Sequence, residues 1–181
     1  MKSFLNLFLI ILLPLTLGLS LVFYFSNDLM LQSAQTELID EMRSKWKILS
    51  HYINPLDLGS ETAQRIRDIS ASTKVRITLI DNSGVVVDDS YLSQNEVTII
   101  ENHFNRPEVQ DAIYGNEGHS IRYSATTDME MLYYAKHLNG KIILRLAYPA
   151  SFVHTMKQDF IQQNFYIFFS LFVLVMMVAV Y

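Results

Sequence analysis

Five histidines, one adjacent pair of aspartates and two arginines set among apolar strand residues are the side chains best placed to do chemistry. Their spacing decides what chemistry is open to them. His51, His103, His119, His137 and His154 are widely separated. They form no His-Glu-x-x-His helix, and there is no cysteine to complete a zinc site, so no metal centre is expected. Neither a glycine-rich phosphate loop nor a Gly-x-Ser-x-Gly turn occurs. Asp88 and Asp89 are neighbours, and neighbouring strand residues point to opposite faces, so one pocket cannot use both as acid and base. No catalytic residue and no cofactor is expected in this chain.

Binding chemistry has better candidates. On one strand Ile121 and Tyr123 share a face, while Ser120, Arg122, Ser124 and Thr126 share the other. On a second strand Leu144 and Leu146 oppose Arg145. Arg122, Ser124, Arg145 and Tyr133 together suit a carboxylate or phosphate, because a guanidinium group offers planar paired donors. Two blander uses fit the same pattern: cross-strand pairs, for instance with Glu130, or exposure to water on a one-sided antiparallel sheet. Of the adjacent tyrosines, Tyr133 is expected in the core and Tyr134 at the surface.

The elements that must position these residues lie between two long uncharged stretches, residues 3–27 and 160–181. At 1.5 Å per residue the second is roughly 33 Å long as a helix, against about 30 Å of bilayer hydrocarbon. The first exceeds the roughly 7–15 apolar residues of a signal-peptide core and ends in Tyr24-Phe25-Ser26-Asn27, so it reads as a retained anchor. Pro14 and Gly18 are tolerated in membrane helices. Lys2 favours an inside N-terminus, which leaves residues 28–159 outside. Removing the +1 of Lys2 from the formal charge of −4 leaves −5 on that segment, which attracts neither nucleic acid nor anionic lipid.

The outer segment begins with a helix. Leu31, Ala34, Leu38, Met42, Leu49 and Ile53 recur at helical spacing beside Trp46, a stripe that suits either a second copy or the chain's own domain. Asn54-Pro55 ends this helix, and Ser60 caps a shorter one that runs to about Ala71. Strand patterns follow at residues 76–81 and 85–90, joined through Asp81-Asn82-Ser83-Gly84, and then at 119–126, 130–138 and 141–148. Asn139-Gly140 reads as a type I′ hairpin turn. Between the two groups of strands Asn105 is read as an N-cap, Pro107 lies in the first turn, Glu108 stands at the capping-box position and Gly115 at the stop. The fold expected is α+β, a PAS-like five-stranded antiparallel sheet with a long N-terminal helix, flanked by two transmembrane helices.

The run Glu101-Asn102-His103-Phe104-Asn105-Arg106-Pro107-Glu108-Val109, followed by Gly115, Gly118 and Ile121-Arg122-Tyr123-Ser124, resembles the extracytoplasmic sensor of phosphate-regulon-type histidine kinases. Ile80-Asp81, Gly84, Asp89-Ser90, Met131-Leu132-Tyr133 and Arg145-Leu146 fit the same order. The resemblance covers residues 76–149. It implies a PAS-like or Cache-type sensor in a dimeric two-component receptor of the cytoplasmic membrane. In such a parent an ATP-dependent histidine kinase core, absent here, would address a cognate response regulator. Asn102, His103, Asn105, Arg106, Pro107, Glu108, Gly115 and Gly118 would hold the loop and helix cap rather than a ligand.

The organisation expected is a first transmembrane helix (1–27), stalk and helices (28–74), the sensor sheet (75–149), and a connecting helix running into a second span (150–181). Ser151 would cap that last helix, with Phe152, Val153, Met156 and Phe160 at helical spacing. The chain stops without the lysine or arginine that usually closes a span, which reads as truncation before an effector. The partners expected are the lipid bilayer, a second copy and an extracytoplasmic stimulus that the residues do not name. The alternative is a membrane-tethered, non-catalytic interaction or accessory module.

Overall fold

The computed structural model describes residues 2–53 and 60–180. In chain order the elements are α1 (Lys2–Tyr52), α2 (Ser60–Thr73), β1 (Arg76–Asp81), β2 (Val86–Asp89), α3 (Gln94–Ile99), α4 (Pro107–Tyr114), β3 (Glu117–Ser124), β4 (Met129–His137), β5 (Ile142–Pro149) and α5 (Ser151–Val180). They form two compact units, one of Met1–Thr36 with Phe152–Tyr181 and one of Glu37–Ser151.

The first unit is helical. Phe23 of α1 stacks on Phe160 of α5 at 6.4 Å between ring centroids and meets Phe168 edge-on at 6.5 Å. Pro14 lies inside α1 without ending it. Among the described residues one helical stretch, Pro14–Tyr52, is long and apolar enough to cross a membrane. The expected helix end at Asn54-Pro55, and the side chains of Phe152, Val153 and Met156, lie outside what is described.

The second unit is built on one antiparallel sheet in the order β2-β1-β5-β4-β3. This is the five-stranded α+β architecture expected. Its central strand β5 is buried on both faces from Ile142 to Ala147. On one face Ile77, Leu79, Leu144, Leu146, Leu132 and Tyr134 are all at 0% exposure, and burying a side chain of this size contributes about 1.5–3 kcal/mol. Helix α1 reaches that face: the Trp46 indole N–H donates to the Leu144 carbonyl (3.0 Å), and Arg43 Nη2 donates to Glu117 of β3 (2.6 Å). Leu38, Met42, Leu49 and Ile53 are buried within the chain. These four positions of the stripe therefore pack within the chain itself. On the other face Ile80, Ala135 and Ile143 form a core with Val97 of α3 and with Val109 and Ala112 of α4.

Three local expectations are corrected, and one element is additional to those expected. Helix α3 is the addition; its signal is Ser93-x-x-Glu96, the Glu96 carboxylate accepting from both the Ser93 N–H and its hydroxyl at 2.7 Å. Arg106, not Asn105, occupies the N-cap of α4. The β4–β5 connection is a four-residue loop, not a type I′ turn: positive φ occurs at Lys74, Asp128 and Gly84, and the Asn139 side chain takes the N–H groups of Lys141 and Ile142 instead. Tyr134, expected at the surface, is fully buried with its hydroxyl donating to Glu117.

Gly84 ties the β1–β2 turn to the loop that leads into α4. Its φ is +83°, and a Cβ there would lie 2.3 Å from the Phe104 nitrogen, while its carbonyl accepts the His103 N–H at 2.8 Å. Gly84→Ala is expected to cost about 1–3 kcal/mol through backbone strain, read as a lower urea midpoint. An unchanged midpoint would mean that the turn can back away from the loop.

Candidate functional site

Helix α4 is held unusually close to strand β3 by Gly118, where a Cβ would lie 2.2 Å from the Glu108 carbonyl oxygen. That approach delivers the Glu108 side chain to the inward face of β3. Its carboxylate, at 0% exposure, accepts from Ser120 Oγ at 2.6 Å and from Arg122 Nη2 at 3.0 Å. Arg145 of β5 reaches the same carboxylate at 3.4 Å and donates through Nη2 to Thr78 Oγ1 at 3.1 Å. The Thr78 hydroxyl in turn donates to Asp89 at 2.7 Å, and Asp89 accepts from Arg76 Nε at 3.0 Å on both oxygens. One polar chain thus runs from Ser120 to Arg76 across the sheet. The capping-box role expected of Glu108 gives way to a buried ion pair, because the carboxylate lies against the sheet and not against its own helix end.

The three arginines of this cluster border a cavity of about 160 Å³. Arg122, Ser124, Tyr133 and Arg145, the four residues proposed from sequence as ligand-binding, all line it, as do Arg76, His103 and Arg106. Tyr133 lies with its ring centroid 3.9 Å from the Arg122 guanidinium carbon and 5.0 Å from that of Arg145. The alternation along β3 is as expected, but the polar face points inward; Ile121 and Tyr123 are the exposed ones. Asp88 and Asp89 do part to opposite sides, Asp88 toward Arg67 of α2 at 3.9 Å.

Of the residues assigned to the loop and cap, Asn102 does hold the loop, donating to the Ser83 carbonyl (2.9 Å) and accepting the Phe104 N–H (2.7 Å). Gly115 ends α4 with its N–H on the Asp111 carbonyl at 2.8 Å. His103 and Arg106 also form cavity wall, and Arg106 pairs with Glu101. Alternation places Ser120 on the same face as Arg122, but sequence reading missed Arg76 and Thr78 as members of the cluster. The available signal was an arginine and a threonine alternating with isoleucine and leucine in β1.

The electrostatics follow from burial and partners. Burial alone would raise the Glu108 pKa, but the bonds from Arg122 and Ser120 and the charge of Arg145 outweigh it and leave the carboxyl below its ordinary range. Burial lowers the pKa of Arg145, the Glu108 charge opposes that, and the side chain stays a cation at neutral pH. His103 is pushed down to about 4 by burial and then by the charges of Arg145 and Arg122, against the opposing pull of Glu108.

The His103 shift has a sign that can be checked. An imidazole with its pKa depressed by folding takes up protons first in the unfolded chain, so stability is complete above about pH 6.5 and declines as pH falls toward 4. The loss expected is on the order of 3 kcal/mol, ahead of the acid loss contributed by Glu108. Urea melts over that range should show it. His103→Gln should flatten the curve between those limits, and an equally steep curve in the variant would reject the assignment.

No protein-family model matches the chain, and no curated protein matches it. Among solved structures the chain is similar to the Vibrio cholerae histidine kinase DctB sensor domain, with a TM-score of 0.53 and 17% identity over 72% of this chain and 60% of that one. The chain therefore spans about 60% of the length of that sensor domain. At this identity the likeness shows the fold alone, the α+β arrangement around a five-stranded antiparallel sheet.

Proposed function

We propose that the chain is the sensory and membrane-spanning part of a two-component receptor histidine kinase of the phosphate-regulon type, with the cavity beside Arg122 and Arg145 as its receptor site. The observation that carries this is the convergence of a buried arginine cluster on a cavity in a sensor-domain fold. The α1 stretch and α5, at 30 residues or about 45 Å of helix, would each cross the bilayer. Arg145 lies on β5, and β5 leads through Ala150 straight into α5. Ligand-dependent movement at Arg145 therefore has a short covalent route to the second span and to a cytoplasmic kinase core beyond it. Two copies would act together, as the resemblance to dimeric receptors implies.

The test joins residues 1–181 to the kinase core of a receptor with a known reporter. Cysteine at Ser93 should be labelled from outside intact cells and cysteine at Ser3 should not. Arg122→Gln and Arg145→Gln should lock the output in one state. Inverted labelling would overturn the topology, and unaltered output in both variants would remove the cavity from signalling.

A further inference from the structure

The cavity's charge balance narrows what it can hold. Three guanidinium groups border it without an exposed partner: Arg76, Arg122 and Arg145. Two buried carboxylates face them, Asp89 on Arg76 and Glu108 shared by Arg122 and Arg145. Arg106 is balanced by Glu101, and Asp88 turns to Arg67 on the other side of the sheet. His103, on the loop before α4, is neutral at physiological pH. One positive charge is left over, and it falls on the pair that shares Glu108.

The same pair carries unused donors. Nε of Arg122 and Nε of Arg145 are buried and have no hydrogen-bond partner, and the Arg145 side chain is only 2% exposed. A buried charged donor without a partner is costly, and so is an uncompensated buried charge. A single small anion relieves both. Size sets the other bound. A cavity of about 150 Å³ holds benzene, whereas sites for drug-sized ligands run to roughly 300–1,000 Å³, so 160 Å³ admits a very small molecule.

We infer that this cavity binds a compact oxyanion of about six non-hydrogen atoms or fewer, its oxygens accepting from Arg122 and Arg145 beside the Ser124 hydroxyl. A short monocarboxylate and an inorganic phosphate or sulfate share that chemistry. Nucleotides, peptides and neutral sugars do not fit it. The inference rests on the receptor reading for its place in signalling, while the binding itself is measured without any output.

The experiment is calorimetric titration of the whole chain in detergent micelles at constant ionic strength. Acetate, pyruvate, phosphate and sulfate are tested in separate arms, with acetamide as the neutral isostere. Saturable binding at millimolar concentration or below in one class of arm, and none by acetamide, is expected and identifies the source. Arg122→Gln should weaken that binding roughly tenfold or more, the loss of one bond to a charged group. Glu108→Gln should strengthen it, because the internal carboxylate competes for the same donors. A purely structural role for these side chains cannot produce opposite signs. If Arg122→Gln does not fold, Arg122→Lys supplies the same test, since it keeps the charge and loses the planar donor pair. No saturable binding in any arm, equal binding of acetamide, or indifference to the arginine variant overturns the inference. Arginine-dependent binding with no effect on receptor output retains the site and rejects its sensory role. Altered output in cavity variants without anion binding retains the sensory role and rejects the anion.

Discussion

Replacing Glu108 with alanine is expected to cost the sheet unit about 3–5 kcal/mol, the penalty for leaving a buried charge without its partner. The carboxylate is wholly buried and holds two arginines and a serine on two different strands. Its removal leaves Arg122 and Arg145 facing each other across Tyr133 with no counter-charge. Glu108→Gln should cost less, because the amide oxygen still accepts a guanidinium N–H. The measurement is the urea midpoint of the whole chain at neutral pH. A loss below about 1 kcal/mol for the alanine variant would mean that water reaches both arginines, as it does in exposed pairs.

The second large effect is expected at Asp89, whose carboxylate is fully buried against Arg76 and also takes the Thr78 hydroxyl and the Tyr91 N–H, the last at 2.8 Å. Asp89→Ala should likewise cost about 3–5 kcal/mol. The informative comparison is the double variant Arg76→Met with Asp89→Leu. Replacing a buried ion pair by apolar groups of similar volume is often neutral or stabilising, so the double variant should recover most of the loss. Failure to recover would show that the carboxylate matters chiefly through Thr78 and the Tyr91 backbone. Glu108 and Asp89 belong to the same polar chain, joined through Arg145 and Thr78. Their losses should therefore not add when the two substitutions are combined.

The strands were legible because runs rich in β-branched and other apolar residues are bounded by turn residues such as Asp81-Asn82-Ser83-Gly84 and Asn139-Gly140; β1 falls at residues 76–81 as expected, and the other four shift by two residues or fewer at either end. Helix α3 escaped because six residues are too few for a helical period to stand out, although Ser93 and Glu96 marked its start. Asn139-Gly140 misled because a dipeptide preference is local, while the loop geometry is set by the paired strands on either side. The candidate site was half legible. Alternation placed Arg122 and Ser124 on one face, but alternation cannot say which face is buried. Glu108 was read from its neighbours in the chain, where its position before a hydrophobic run imitates a cap. Its real partners are 14 and 37 residues away, and only tertiary packing brings them together.

The position of Trp46 has a practical consequence. It is the one tryptophan in the chain, and its indole N–H is bound to the Leu144 carbonyl, next in sequence to Arg145. Strand pleating puts the Arg145 side chain on the opposite face from Leu144, and Trp46 is not among the residues that line the cavity. Its emission is therefore a built-in optical gauge of the β5 backbone. A spectral change that saturates on adding a small anion, and that is lost in Arg122→Gln, would register movement of the strand itself.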